Sequence, residues 1–171
     1  MIVTGRLIKV LLICPFNVMV VIPGLLLWIS RQTGLLASFN LGFNLYRGIL
    51  GGFFIAIGMI GAYFCVALFT DHGDGTPAPW DPPKNLVVEG IYRHVRNPMI
   101  ASVFCVLLGE FLLSGYPLLL LWFLFFVAAN LLYIPLIEEP QLLKRFGEPY
   151  RLYLKNVPRW IPKKSFTKGY K

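Results

Sequence analysis

Long apolar runs rather than strict alternation set the pattern of this chain. Four hydrophobic stretches stand out between polar links. The first runs from about Leu7 to Ile29 and is interrupted by Pro15 and Pro23. The second runs from Gly48 to Phe69 and carries Gly48, Gly51, Gly52, Gly58 and Gly61. The third runs from about Pro98 to Leu113, and the fourth from about Pro117 to Ile137. Ser114-Gly115-Tyr116-Pro117 makes the turn between them. A helix crossing the hydrocarbon core of a bilayer needs about twenty apolar residues. Lipid offers backbone groups no water, so each span must satisfy them internally. The pattern therefore predicts an all-α membrane bundle of about four transmembrane helices, the third of them short. Small residues let helix backbones approach closely, so the glycine-rich second span is expected to be a packing helix. Prolines within the first span are tolerated where neighbours satisfy the freed carbonyls.

The segments between the runs differ in kind. Residues 30–47 form a short link, with an extra re-entrant or interfacial helix open around 34–46. Residues 70–97 form a long loop rich in proline, glycine and aspartate. Residues 138–171 form a basic tail. In it, Leu142, Leu143, Phe146, Tyr150, Tyr153 and Leu154 recur at three- and four-residue steps, with charges mostly between them. That spacing predicts an amphipathic helix lying at the membrane interface. Val157-Pro158-Arg159-Trp160-Ile161-Pro162 ends it, with a tryptophan suited to the headgroup level.

Composition reinforces this reading. Of 171 residues, 57% are hydrophobic and only 14% charged, whereas a soluble domain carries about a quarter charged residues. One membrane domain, 1–171, accounts for the whole length. The net charge of +8 could mark a nucleic-acid binder, but beside such hydrophobicity it points to an anionic membrane face. No basic–aromatic ladder for a single strand is present, so no nucleic acid is expected. The first run follows Arg6 and Lys9 like a signal peptide, but it has span length and no adjacent small-residue cleavage site, so it is read as an uncleaved span.

Orientation follows from the basic residues. With four spans, the N-terminus, the 70–97 loop and the tail share one side, which holds fourteen of the sixteen Lys and Arg residues; only Arg31 and Arg47 fall on the other. Basic residues favour the cytoplasmic side, so loop and tail are expected there. The third and fourth spans form a hairpin, so residues near 90–98 and 138–153 should meet at one membrane face.

Two groups of polar residues fall at that face. The first is Gly90-Ile91-Tyr92-Arg93-His94-Val95-Arg96-Asn97-Pro98. Glycine permits a tight turn, and proline suits the first turn of a helix. A helix start flanked by arginines is an anion site, or simply a positively charged anchor. The second is Glu138-Glu139-Pro140. Two carboxylates at the end of a span are costly in lipid, so they should lie at the interface facing the cations of the hairpin's other end. They could equally be a helix-start signal.

Other candidates carry less. Asp71, His72 and Asp74 lack helical ligand spacing, so no metal is expected. Cys14, Cys65 and Cys105 sit in apolar runs without a CxxC pair and read as packing thiols. Glu110 lies near the outer end of the third span and is expected to be structural or interfacial. Asn130 lies about 13 Å deeper in the fourth, so the two should not pair.

Two blocks of residues resemble the isoprenylcysteine carboxyl methyltransferase family and its prokaryotic relatives. Phospholipid N-methyltransferases share the pattern at the end of the chain. The first block is Gly90-x-Tyr92-Arg93-x-x-Arg96-Asn97-Pro98-Met99, preceded by Gly75-Thr76-Pro77-x-Pro79 and Pro82-Pro83. The second is Glu138-Glu139-x-x-Leu142-x-x-x-Phe146-Gly147-x-x-Tyr150-x-x-Tyr153, closing with Val157 to Pro162. Together they cover residues 71–162. Ile100 and Ala101 depart from the family's usual aromatic residue and glycine, and Asn97 stands where many eukaryotic members have histidine.

The resemblance implies S-adenosylmethionine as methyl donor. It implies a donor pocket built by Tyr92, His94, Val95, Arg96, Asn97, Pro98, Glu138, Glu139, Tyr150 and Tyr153, with Arg96, Glu138 and Glu139 catalytic. It implies a lipidic or prenylated acceptor entering from the bilayer, such as an isoprenylcysteine carboxylate. A phospholipid amine is the alternative acceptor. A carboxylate would need an arginine to hold it, and an amine would need a carboxylate to take its proton. The non-enzymatic alternative is a membrane scaffold or transporter subunit. A transporter would place its polar groups near the midplane, whereas here nearly all lie at one face.

Overall fold

Apolar runs become helices in the computed structural model, which describes residues 16–36, 41, 44–72 and 84–163. Among these, every regular element is helical. The first opens as a π-helical turn, Asn17–Val21, and continues as α1 (Ile22–Thr33). Pro23 is the cause. Proline has no N–H for the carbonyl four residues back, and its ring collides with that carbonyl. The turn widens, and Ile22 N–H bonds Asn17 O instead of Val18 O. Val18 O is thereby released, and the indole N–H of Trp122 donates to it at 3.3 Å. Trp122→Phe keeps the ring and removes the donor. It should cost about 1 kcal/mol in detergent unfolding.

Helix α2 (Leu45–His72) starts three residues before the run read from sequence and ends three after it. Helix α3 (Pro98–Ser114) begins on Pro98 and stops at Gly115, whose φ of 73° supplies the left-handed exit. Helix α4 (Pro117–Tyr133) does not end near 137 as expected. A second π-helical turn, Ile134–Glu138, carries it into α5 (Glu139–Phe146). The single tail helix expected from the heptad-like spacing is instead two. Gly147, at φ 62° and ψ −134°, breaks it between α5 and α6 (Glu148–Asn156).

The principal pairing is α2 on α3, along most of α3, and it runs through glycine. A Cβ at Gly58 would lie 2.6 Å from Ser102 O and 2.6 Å from Val106 Cγ2. Met19, Val103, Val106 and Leu107 then bury against Trp122, Phe123 and Phe126, joining the first π-turn, α3 and α4. Residues Leu45–Phe69 and Pro117–Phe146 are long and apolar enough to cross a membrane, and their outer faces are unburied. Tyr46, Ile49, Phe53, Tyr63, Phe125, Leu132 and Leu136 are exposed. Apolar surface on that scale is not tolerated in water and requires lipid. This is an all-helical membrane protein. The parts of the first run before residue 16, the Gly75–Pro83 motif residues, Cys14, Asp74 and residues 37–40, 42 and 43 of the 34–46 link lie outside the described residues.

The two ends of the bundle are distinct. At one, Arg31 lies over the Tyr116 ring and Arg47 donates to Leu112 O. At the other, the segment entering α3 meets the chain leaving α4.

Candidate functional site

The segment before α3 is shaped by alternation. In extended residues 86–88, Val87 points to Cys65 and Tyr92, while Leu86 and Val88 pack on Tyr150, Tyr153 and Val157. The apolar face of α6 is thus filled by protein. Gly90, at φ 54°, then turns the chain into a single 3₁₀ turn, Gly90–Arg93. A Cβ at Gly90 would lie 2.9 Å from Leu68 Cδ1, so the residue is needed for both shape and space.

That turn buries Tyr92, whose hydroxyl pairs with the fully buried Cys65. Tyr153 donates its hydroxyl to Tyr92 O at 2.8 Å, tying α6 to the loop. Arg96 N–H donates to Pro158 O at 2.9 Å, and Lys163 N–H to His94 O at 3.2 Å. The His94 ring Nδ1 meets Lys163 O at 2.9 Å. The tail after α6 is therefore strapped along residues 94–96. Trp160 stacks on Phe104 of α3 at 5.4 Å.

Charge organises the centre. Arg96 Nη1 donates to Glu139 Oε1 at 2.7 Å. Arg159 forks onto the same carboxylate, Nε to Oε1 and Nη2 to Oε2, each at 2.9 Å. One carboxylate thus holds two guanidiniums, one from the α3 entry and one from the tail. Its side chain is 14% exposed and that of Arg96 is 11% exposed, so the pairing is largely shielded from water. Arg93 turns away and pairs with Glu89.

Three polar groups in this cluster are left over. Arg96 Nε and Asn97 Nδ2 are buried donors without an acceptor among the described residues. Asn97 sits at the N-cap of α3 but makes no cap. Buried donors are normally satisfied, so such orphans mark a place for a ligand. Glu138 points beside Tyr92 and Tyr150, disfavouring ionisation of both, and has no ion-pair partner among the described residues. Burial is the main cause that pushes Tyr92 well up. Tyr150 is pushed up to about 12 by burial first and then by the negative charge of Glu139. Both phenols stay protonated at neutral pH and can donate but not act as bases.

The fold therefore gathers Tyr92, Arg96, Asn97, Glu138, Glu139, Tyr150 and Tyr153, which the sequence had pointed to from both blocks. Val95 is 4% exposed and Pro98 is buried as the first residue of α3. His94 sits at the rim, engaged by the tail. Arg159 and Cys65 were not singled out. Arg159 stands in the quoted closing block, and its role shows only once the tail folds back. Cys65 gives no local signal, since a thiol in an apolar helix reads as packing.

Glu110, in the half of α3 away from the cluster, has a buried Oε2 with no partner among the described residues. Asn130 donates to Phe126 O on its own helix at 2.8 Å. The two do not pair.

No curated protein matches the chain. A family model described as phospholipid methyltransferase matches residues 47–149, more than half of the 171 residues, running from the start of α2 to the start of α6. That interval includes the first block and the start of the second, from Tyr92 to Glu139, and stops short of Tyr150, Tyr153 and Arg159. The chain belongs to the phospholipid methyltransferase family.

Proposed function

We propose that this protein is an integral membrane methyltransferase that moves a methyl group from S-adenosylmethionine to a lipidic acceptor. One observation carries the reading. Within a chain of this family, two orphaned buried donors and one carboxylate without a cation lie in the same cluster at one end of an apolar bundle. The residues fit that methyl donor. Arg96 Nε and Asn97 Nδ2 suit its carboxylate, and Glu138 suits its cationic part. Tyr92, Tyr150 and Tyr153 wall the pocket, and His94 closes its rim through the strap.

When bound, S-adenosylmethionine supplies an electrophilic methyl on a sulfonium. The chain's own part is positioning and exclusion of water. Glu139 fixes Arg96 and Arg159, so the α3 entry and the tail are held in register. We read four passes, with the cluster on the cytoplasmic side, because among the described residues only Arg31 and Arg47, of the lysines and arginines, lie at the opposite end.

For the acceptor, the arrangement favours a phospholipid amine. Both guanidiniums at the centre are engaged by Glu139, while Glu138 remains as a base beside the pocket. An amine must give up a proton to become nucleophilic, and Glu138 can take it. The second reading is an isoprenylcysteine carboxylate as acceptor. Such an acceptor needs no base.

Calorimetry with S-adenosylhomocysteine on detergent-purified protein tests the donor. Saturable binding is expected, weakened about tenfold or more in Glu138→Gln with little change in unfolding temperature. Labelled-methyl transfer to phosphatidylethanolamine vesicles, against a farnesylated cysteine, separates the acceptors. Absence of binding by folded protein in both detergent and nanodiscs would overturn the reading.

A further inference from the structure

Trp122 and Trp160 both stack on aromatic rings of the α3–α4 hairpin, Trp122 on Phe125 and Trp160 on Phe104. Their N–H groups fare differently. That of Trp122 is given to Val18 O. That of Trp160 has no acceptor among the described residues, and the ring is partly exposed. An indole nitrogen can only donate, and such donors normally find a partner when drawn away from water.

The open donor has a specific place. Arg159, its neighbour in the chain, forks onto Glu139 where the chain leaves α4. Pro158 O accepts from Arg96 N–H where the chain enters α3. The strap thus crosses from one leg of the hairpin to the other. Trp160 then lies on Phe104, which is about 9 Å along α3 from Pro98. Phe104 in turn meets Phe126 of α4 edge-on at 6.0 Å, so aromatic rings fill the space between the two helices. The indole therefore stands where the polar cluster gives way to the apolar bundle. Ile161, next in the strap, is 80% exposed. In a membrane protein, an isoleucine so exposed beside a stacked indole suits contact with acyl chains.

We infer that Trp160 binds the acceptor lipid, with its ring against the start of an acyl chain and its N–H donating to an ester carbonyl. The inference rests on the proposed phospholipid acceptor, because the site is the same. Ester carbonyls are the deepest hydrogen-bond acceptors of a diacyl phospholipid; its phosphate and amine lie toward the headgroup side. A lipid with its amine at Glu138 directs those carbonyls toward the apolar bundle, the side on which Trp160 lies. The strap then selects as well as closes. A farnesylated cysteine has no ester carbonyl to offer it.

Labelled-methyl transfer in mixed micelles tests this, with S-adenosylmethionine saturating. Phosphatidylethanolamine is supplied as the diester or as the diether of equal chain length, which has no carbonyl. Trp160→Phe keeps a ring on Phe104 and removes the donor. It should raise KM for the diester about fivefold, with kcat little changed, and leave KM for the diether where it was. Binding of S-adenosylhomocysteine and the unfolding temperature should stay at wild-type values. Trp28→Phe, at a tryptophan of α1 that is 61% exposed, should shift neither KM. Equal effects of Trp160→Phe on both lipids, no effect on either, or loss of S-adenosylhomocysteine binding would overturn the inference while leaving the proposed function standing. A wild type that binds S-adenosylhomocysteine but methylates neither lipid would overturn it together with the amine reading of the acceptor.

Discussion

Glu139→Gln is expected to lower stability by about 3 kcal/mol and to abolish binding of S-adenosylhomocysteine together with it. The reason is the sharing of one carboxylate by Arg96 and Arg159. Glutamine keeps the shape, but it presents one acceptor oxygen and an NH₂ to two guanidiniums. Shielded Arg96 and one-third-exposed Arg159 then face each other without a counter-charge, and removing one partner of a largely buried pair is more costly than never having made it. The damage is not local. Arg96 belongs to the entry of α3, and Arg159 to the strap that pairs through Pro158 O and Lys163 N–H. The strap should loosen and expose Trp160, so the fluorescence of that ring should shift to the red along with the fall in unfolding temperature. The contrast with Glu138→Gln is the sharper part. Adjacent carboxylates should separate cleanly, one governing folding and binding together, the other binding alone. A Glu139→Gln protein with wild-type stability would show that the clamp is not what joins tail to loop.

Gly58→Leu is expected to prevent α2 and α3 from seating, with a loss of at least about 3 kcal/mol; Gly58→Ala should lose about 2 kcal/mol. A Cβ there meets the backbone of α3 at Ser102 O and at Val106 N, 2.6 and 3.0 Å away, and backbone cannot rotate aside. In lipid the hydrophobic effect does not hold helices together, so close backbone contact carries much of the pairing. Gly52, on the same helix, has nothing within 4 Å of its Cβ position. Gly52→Ala should therefore be neutral within about 0.5 kcal/mol. Because Cys65 lies on α2 two turns beyond Gly58, spreading the pair should also disturb Tyr92 and weaken ligand binding. Thermal unfolding in detergent with the three variants side by side checks the first claim, and calorimetry the second.

Much of this was written in the chain itself. Run lengths near span size, with helix-starting Pro98 and Pro117 and helix-ending Gly115, fix where α3 and α4 begin and where α3 stops. The distribution of lysine and arginine places both polar blocks at one end, and a hairpin of two spans must return its ends to the same side. The candidate residues of both blocks were therefore legible, since each sits beside a strong local signal.

Local signals could not give the partners. Glu138 and Glu139 are identical in sequence terms, yet the π-turn that Pro140 imposes turns one into a clamp and leaves the other open. Arg159 reads as one more basic residue in a basic tail until Gly147 breaks that tail and the strap brings it onto Glu139. Cys65 reads as packing until the 3₁₀ turn lowers Tyr92 onto it. The sequence alone determined the helices, their apolar faces and the end of the bundle where polar groups collect, because these depend on spacing and on transfer from water to lipid. Which carboxylate pairs and which stays free was decided only in the tertiary structure, because charge pairing depends on distance through space between segments that are far apart along the chain.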